Sequence, residues 1–347
     1  MLKYVLKRIG FVFFTLFIVI SVTFILMKKL PVERPIGQEK QQIAYCENQV
    51  SLGYFYKFNE VHEEYGDPVY QTSTDSSNKI VTYYYQVPAH EQYFKWLGNI
   101  LTKWEWGLSE QIEPNVKVSV IIKERLPNTI KLNIIATAVS VPIGILLGIW
   151  AALKKNTITD HIISTSVMVF ISIPGFVLIS IMILVFAYNL GWVPTKWPNP
   201  GASAWMIAKA YLIPVFCLSF GSICGYCRFV RAELCEVMES DYLLLARTKG
   251  LTRSQSIVRH ALRNAFVPIL PSILAEVIGL LSGSMILESL YGINGTGSLF
   301  ITAIKAKDYN VLFVDMAIFT TIGLLANIVL DLSYGFIDPR IRMGARK

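Results

Sequence analysis

The chain alternates long apolar runs with short polar connections and carries one long polar stretch near its beginning. Six runs are long enough to cross roughly 30 Å of hydrocarbon at 1.5 Å per residue. They cover about 9–29, 129–153, 161–190, 205–228, 265–290 and 311–336. Pro142, Pro174 and Pro214 fall inside these runs, which membrane helices tolerate where neighbours satisfy the freed backbone groups. The first run follows Lys3, Lys7 and Arg8 and ends in Lys28-Lys29-Leu30-Pro31. It has no small-x-small cleavage site, so it reads as a retained helix rather than a signal peptide. The pattern predicts an all-α integral membrane protein with six transmembrane helices.

The polar stretch 31–127 interrupts that pattern. It is rich in tyrosine and acids, with a β-prone segment at Ile80–Val87 and a possible helix over 46–65. An ordinary connection is far shorter, so this is an insertion between the first two helices, ordered at least in its second half. It is either a docking surface or a tolerated addition. The chain then divides into 1–30 with the first helix, the insertion 31–127, a five-helix core over 128–336, and a tail over 337–347.

Composition changes the picture in two ways. Only 16% of residues are charged and 53% are hydrophobic, against roughly 25% charged in soluble domains. The formal charge of +8 does not point to nucleic acid, because the basic residues sit at the ends of the apolar runs. Lys154 and Lys155 follow the second run, Arg228, Arg231, Arg247, Lys249, Arg253, Arg259 and Arg263 follow the fourth, and Arg340, Arg342, Arg346 and Lys347 end the chain. By the positive-inside rule both termini and 229–264 are cytoplasmic and the insertion is external. Trp192, Trp197 and Trp205 gather on the external side, where an aromatic belt is expected.

Enzyme chemistry finds little support. Cys224 and Cys227 form a C-x-x-C with no second ligand pair, and the four histidines are scattered, so no zinc-type spacing appears. Gly292-Ile-Asn-Gly-Thr-Gly297-Ser298 has P-loop-like glycines, but Ser298 stands where a P-loop needs lysine. It reads as a turn. Gly144-x-x-x-Gly148 allows close helix packing, either within the chain or against a second subunit. Glu276, Gly279 and Gly283 form one polar or small stripe on the fifth run. A carboxylate at a helix centre costs roughly 2.5–3.5 kcal/mol on insertion scales, so Glu276 faces either a path or a buried hydrogen bond. Glu288 and Asp331, nearer the ends of their runs, suit structural roles.

The loop 238–264 is the most structured polar connection. Asp241 is positioned to cap a two-turn helix over Tyr242–Lys249, Gly250 supplies a left-handed stop, and Thr252-x-x-Gln255 forms a capping box for the next helix. A two-turn helix is marginal alone because nucleation is costly, so it needs a packing partner.

Ala246-Arg247-Thr248-Lys249-Gly250-Leu251, followed by Arg259-His260-Ala261-Leu262-Arg263-Asn264-Ala265, resembles the cytoplasmic loop of binding-protein-dependent ABC permeases, in the form of the oligopeptide and dipeptide B-subunits. Similar to the same subfamily are Glu124-Arg125-Leu126-Pro127-Asn128-Thr129, Pro142-Ile143-Gly144, Ser172-Ile173-Pro174-Gly175, Glu288-Ser289-Leu290-Tyr291-Gly292 and Asp338-Pro339-Arg340-Ile341-Arg342. Leu244-Leu245-Ala246 replaces the general family's Glu-Ala-Ala, and 31–92 departs from the pattern. The resemblance implies a type I ABC importer permease fold and a subunit without catalytic residues. It implies a second, homologous permease subunit in a heterodimer, two cytoplasmic ATPase subunits and an external peptide-binding protein, in a bacterial cell membrane. This chain is then expected to bind no cofactor, ATP and Mg belonging to the partner subunits. Asp241, Tyr242, Ala246, Arg247, Lys249, Gly250, Arg259 and His260 would couple to an ATPase, and Pro174, Gly175, Glu276, Gly279 and Gly283 would line the path. Two other readings stay open: the same machine carrying nickel or a metallophore, and a secondary transporter working without ATPases.

Overall fold

A computed structural model describes residues 2–28, 38–74, 80–279 and 282–337. The start of the insertion (29–37) and the tail from Asp338 onward lie outside the described residues. Helix α1 (Leu2–Lys28) is followed by the insertion, with α2 (Glu39–Ser51), strands β1 (Phe55–Phe58), β2 (Tyr70–Thr74) and β3 (Ile80–Gln86), and α3 (Ala89–Lys103). Then come α4 (Val118–Leu153), α5 (Ile158–Ile171), α6 (Gly175–Asn189, ending in a π turn), α7 (Ala204–Met238) and α8 (Asp241–Thr248). The chain continues with α9 (Arg253–Gly279), α10 (Met285–Tyr291), α11 (Thr296–Ala306) and α12 (Tyr309–Ile337).

Five of these helices, α1, α4, α7, α9 and α12, are each long and apolar enough to cross a membrane. The third predicted span, 161–190, is broken. α5 and α6 meet at a 95° bend across Ser172–Pro174. Pro174 lacks an N–H and pushes the residue before it out of the helical region, so α5 stops and Pro174 becomes the cap of α6 (φ −58°, ψ 136°). The two halves nevertheless follow α7 in reverse order. Asp160 meets Arg231, Val167 packs with Cys224 and Cys227, the Phe170 ring lies 5.0 Å from Phe220, and Ile179 shares a core with Ala210 and Ile213. A pair that runs antiparallel to a full span is itself one span, giving six.

Other boundaries move for physical reasons. α4 begins eleven residues before the predicted 129 because Val118, Ile121 and Ile122 are buried in one core with Tyr45, Trp96 and Phe313, which a search for continuous apolarity cannot detect. The predicted 265–290 helix instead runs from Arg253 to Gly279, and the rest is the separate α10. The helix expected over 46–65 lies earlier, at Glu39–Ser51, and gives way to β1.

The chain forms two compact units. One comprises 13–125 and 299–320. Its antiparallel sheet has the order β1-β3-β2, with Tyr84 of β3 opposite Lys57 and Tyr70. Period-two alternation sends Tyr84 to one face, into a core with Tyr45, Cys46, Phe55, Trp96, Val311 and Phe313. Its hydroxyl donates to Glu47 (2.7 Å), which also takes Lys57 Nζ at 2.6 Å. That ammonium and the Tyr84 hydroxyl hold the Glu47 carboxyl below its ordinary range. Buried Asp308 accepts the Ser109 hydroxyl (2.5 Å) and the N–H groups of Glu110, Gln111 and Ile112 at 3.0–3.1 Å, fixing that loop.

The other unit comprises 1–12, 126–298 and 321–347. Gly144 and Gly148 resolve one open point here. A Cβ on either would lie 2.7–2.8 Å from α7 atoms at Tyr226, Cys227 and Val230, so the pair serves packing inside this chain. Arg8 and Asp331 form an ion pair of 2.9 Å. It brings the first and last spans together near their terminal ends, as an even number of crossings requires.

Candidate functional site

Helix α8 sits on a small base. Leu243 is fully buried with Ala152, Leu234, Cys235, Ile257, Ala261 and Ala265. Around that single anchor, Tyr242, Leu244 and Leu245 are 42%, 63% and 55% exposed. Asp241, Arg247, Lys249 and Gly250 are also exposed, and Ala246 is half-buried. The stop is the one expected: Gly250 has φ +96°, Gly250 N–H bonds Arg247 C=O at 3.0 Å, and Leu251 N–H reaches Ala246 C=O at 3.4 Å. This is a Schellman ending. The start differs. Ser240, not Asp241, occupies the cap position, and its hydroxyl turns back to donate to Val237 C=O. Asp241 is the first helical residue, where its charge acts on the helix dipole instead of closing an N–H.

The capping box at Thr252 and Gln255 forms in both directions, at 3.1 and 3.3 Å. A π turn over Ile257–Ala261 follows, burying Ile257 and Ala261 and leaving Arg259 and His260 exposed. Exposed polar and apolar side chains thus converge on one loop.

Two ion pairs that spacing alone does not reveal flank this loop. Arg231 grips Asp160 with Nε–Oδ1 at 2.5 Å and Nη2–Oδ2 at 2.7 Å, a two-point geometry that fixes orientation as well as distance. Asp160 also accepts Asn156 N–H and the Ser164 hydroxyl. Lys155 pairs with Glu239. The turn before α5 is therefore tied to the end of α7 where α8 begins.

The second candidate region is a polar cavity of about 240 Å³ between α4, α7 and the end of α9. Glu276, Gly279 and Gly283 all line it, with Asn133, Thr137 and Ser140 from α4 and Ser222 from α7, but Gly283 lies past the end of α9 with φ +68° and so is not on one helical stripe with the other two. Tyr226 of α7 lies beside Glu276. Pro174 and Gly175 do not line this cavity: they make the exposed break in the third span.

Glu288 is different. It is fully buried and accepts Thr129 Oγ1 (3.0 Å), Ser298 N–H (3.0 Å) and Ser284 N–H (3.3 Å). Glycines close around it. A Cβ at Gly283 would lie 2.7 Å from its Oε1, one at Gly295 would collide with its Oε2, and one at Gly297 would meet Oε2 at 3.0 Å. The glycines that resemble a phosphate loop wrap the chain's own carboxylate. The density of glycine after an acid was the available signal, but nothing in the spacing says which anion they enclose.

The comparisons with known proteins agree with this architecture. The chain is 31% identical over 342 residues to the oligopeptide transport system permease protein OppB of Haemophilus influenzae, covering 99% of this chain and 100% of that one. It is 30% identical to the dipeptide transport system permease protein DppB of Lactococcus lactis, again over 99% and 100%. A solved structure of the MetNI methionine ABC transporter in an inward-facing conformation matches 63% of this chain and 97% of its own, with TM-score 0.51 and 16% identity. That likeness bears on fold alone. The family model for the binding-protein-dependent transport system inner membrane component matches residues 144–343. The chain belongs to this family and is a multi-pass permease subunit of an ABC importer with the type I fold.

Proposed function

We propose that the chain is one of two membrane-spanning subunits of an ATP-driven importer of oligopeptides or dipeptides. In this reading it pairs with a second, related permease, two ATPase subunits bind on the side of α8, and a peptide-binding protein delivers substrate from the other side. Both termini and α8 are cytoplasmic, the insertion faces outward, and the membrane is a bacterial cell membrane. The observation that carries the ATPase contact is α8 itself: a two-turn helix held by one buried leucine, with Tyr242, Leu244 and Leu245 exposed on a polar loop. Exposed apolar side chains in a polar rim mark a protein contact. Asp241, Arg247, Lys249, Arg259 and His260 supply the rim. The peptide class rests on the names of the relatives at about 30% identity.

ATP hydrolysis belongs to the partner subunits. Closure of the ATPases would push α8, and the Asp160–Arg231 and Lys155–Glu239 pairs would carry that displacement into the third and fourth spans. The test is a proteoliposome assay with both permeases, both ATPases and the binding protein. ATP-dependent uptake of di- to oligopeptides is expected. Uptake of nickel or a metallophore with no peptide uptake would replace the substrate class. Orientation is read separately with a membrane-impermeant maleimide. It should label Glu60→Cys in intact cells and Arg253→Cys only after permeabilisation, since the described native cysteines are buried.

A further inference from the structure

The polar cavity holds a single ionisable side chain. Its α4 and α7 walls offer the Asn133 amide and the hydroxyls of Thr137, Ser140 and Ser222, all neutral, and no described Lys, Arg or His lines it. Glu276 is its only formal charge. The Tyr226 side chain lies beside that carboxyl group on the α7 side, and a carboxylate has about four acceptor sites. The remaining sites stay available to a guest. A carboxylate on an apolar helix costs free energy unless a cation or hydrogen bonds offset it. The volume, about 240 Å³, falls below the roughly 300–1,000 Å³ of sites that enclose a whole ligand. The cavity thus fits one end of a substrate better than all of it.

We propose that Glu276 receives the protonated α-amino end of a peptide in transit, with the hydroxyl-bearing walls taking the first peptide group. This assignment rests on the reading of the chain as a peptide permease. A primary ammonium and an inorganic monovalent cation share the required charge, and the test separates them.

The complete importer is reconstituted with one unchanged binding protein, and uptake is measured for a tripeptide and its N-acetylated form. Discrimination by the binding protein is then common to all samples, so only the change in the ratio reports on Glu276. Glu276→Gln should lower uptake of the free peptide about tenfold relative to the acetylated one, the loss of one modest ion pair. Glu276→Asp should restore much of the ratio. Comparing the two substrates in each preparation removes differences in folding or yield. An unchanged ratio in Glu276→Gln overturns the proposal. So does an uptake of both substrates that depends on Na⁺ or K⁺ in wild type and loses that dependence in Glu276→Gln. Failure of the wild-type importer to move any peptide overturns the parent reading instead.

Discussion

Two short helices stand at opposite ends of α9, and both are followed by a left-handed glycine: α8 by Gly250 (φ +96°) and α10 by Gly292 (φ +72°). Their local grammar is alike and their surroundings are not. α10 buries Leu287, Glu288 and Tyr291. The Tyr291 hydroxyl donates to Pro194 C=O (2.8 Å), Trp197 N–H donates to Tyr291 C=O (2.8 Å), and Glu288 is saturated by donors. α8 buries Leu243 alone. Of two segments of nearly equal length, the one whose polar groups and apolar faces are already satisfied is architecture. The one left with exposed leucines has capacity for a partner.

Substitutions that strike this contrast should differ in kind as well as size. The largest effect is expected at Glu288. Its replacement by Ala leaves the buried Thr129 hydroxyl and Ser298 N–H, and the partly buried Ser284 N–H, without this acceptor. At roughly 1–3 kcal/mol for each unsatisfied group, stability should fall on the order of 3 kcal/mol or more. The measurement is yield and thermal unfolding of the purified chain in detergent. Wild-type stability in Glu288→Ala would erase the distinction between the two helices.

Gly250→Val comes next. A side chain in the left-handed region costs roughly 1–2 kcal/mol, which a two-turn helix with one anchor bears poorly. A Cβ there would meet nothing within 4 Å, so the strain stays in α8. Membrane insertion and complex assembly should remain at wild-type levels while peptide transported per ATP hydrolysed falls severalfold. Transport at the wild-type rate would mean that α8 is not the coupling element.

Asp241→Ala should do least. Because Asp241 stands one residue inside the helix and closes no N–H, its loss removes an interaction with the helix dipole and one charge of the rim. Coupled transport should drop by roughly twofold or less. A collapse comparable to Gly250→Val would show that Asp241 is a central anchor of the ATPase contact and not part of its rim.

Much of this architecture is legible in the chain, and the limits have definite causes. Gly250 and the Thr252–Gln255 box are local signals, and the structure places both as the spacing implies. The cap at Asp241 fails by one residue because Ser240 is an equally good candidate and only the backbone decides between them. Continuous apolarity finds the spans but not their ends. Polar residues extend α4 and α9 beyond the hydrocarbon, and Pro174, tolerable in principle, breaks the third span. Glu276 and Gly279 share a helix face because helical periodicity is local, whereas Gly283 lies past the end of α9 and Pro174 and Gly175 lie away from the cavity, because nothing in the sequence fixes how a broken helix turns. The Arg231–Asp160 grip and the Thr129–Glu288 hydrogen bond join residues 71 and 159 positions apart. Pairings at such separation leave no periodic trace.

The break at Pro174 also has a consequence for water. A bent helix strands the last carbonyls of α5 and the first amide hydrogens of α6, and hydrocarbon cannot satisfy them. Ser172, Pro174 and Gly175 are exposed, so this interruption within a span is a place where solvent or another polar group must enter the bilayer. Hydrogen–deuterium exchange on the assembled transporter should therefore show rapid exchange at Gly175 and Phe176 between two slowly exchanging halves of the same span. If binding of ATP slows that exchange, the hydration of a few backbone groups deep in the membrane becomes a direct readout of the transport cycle.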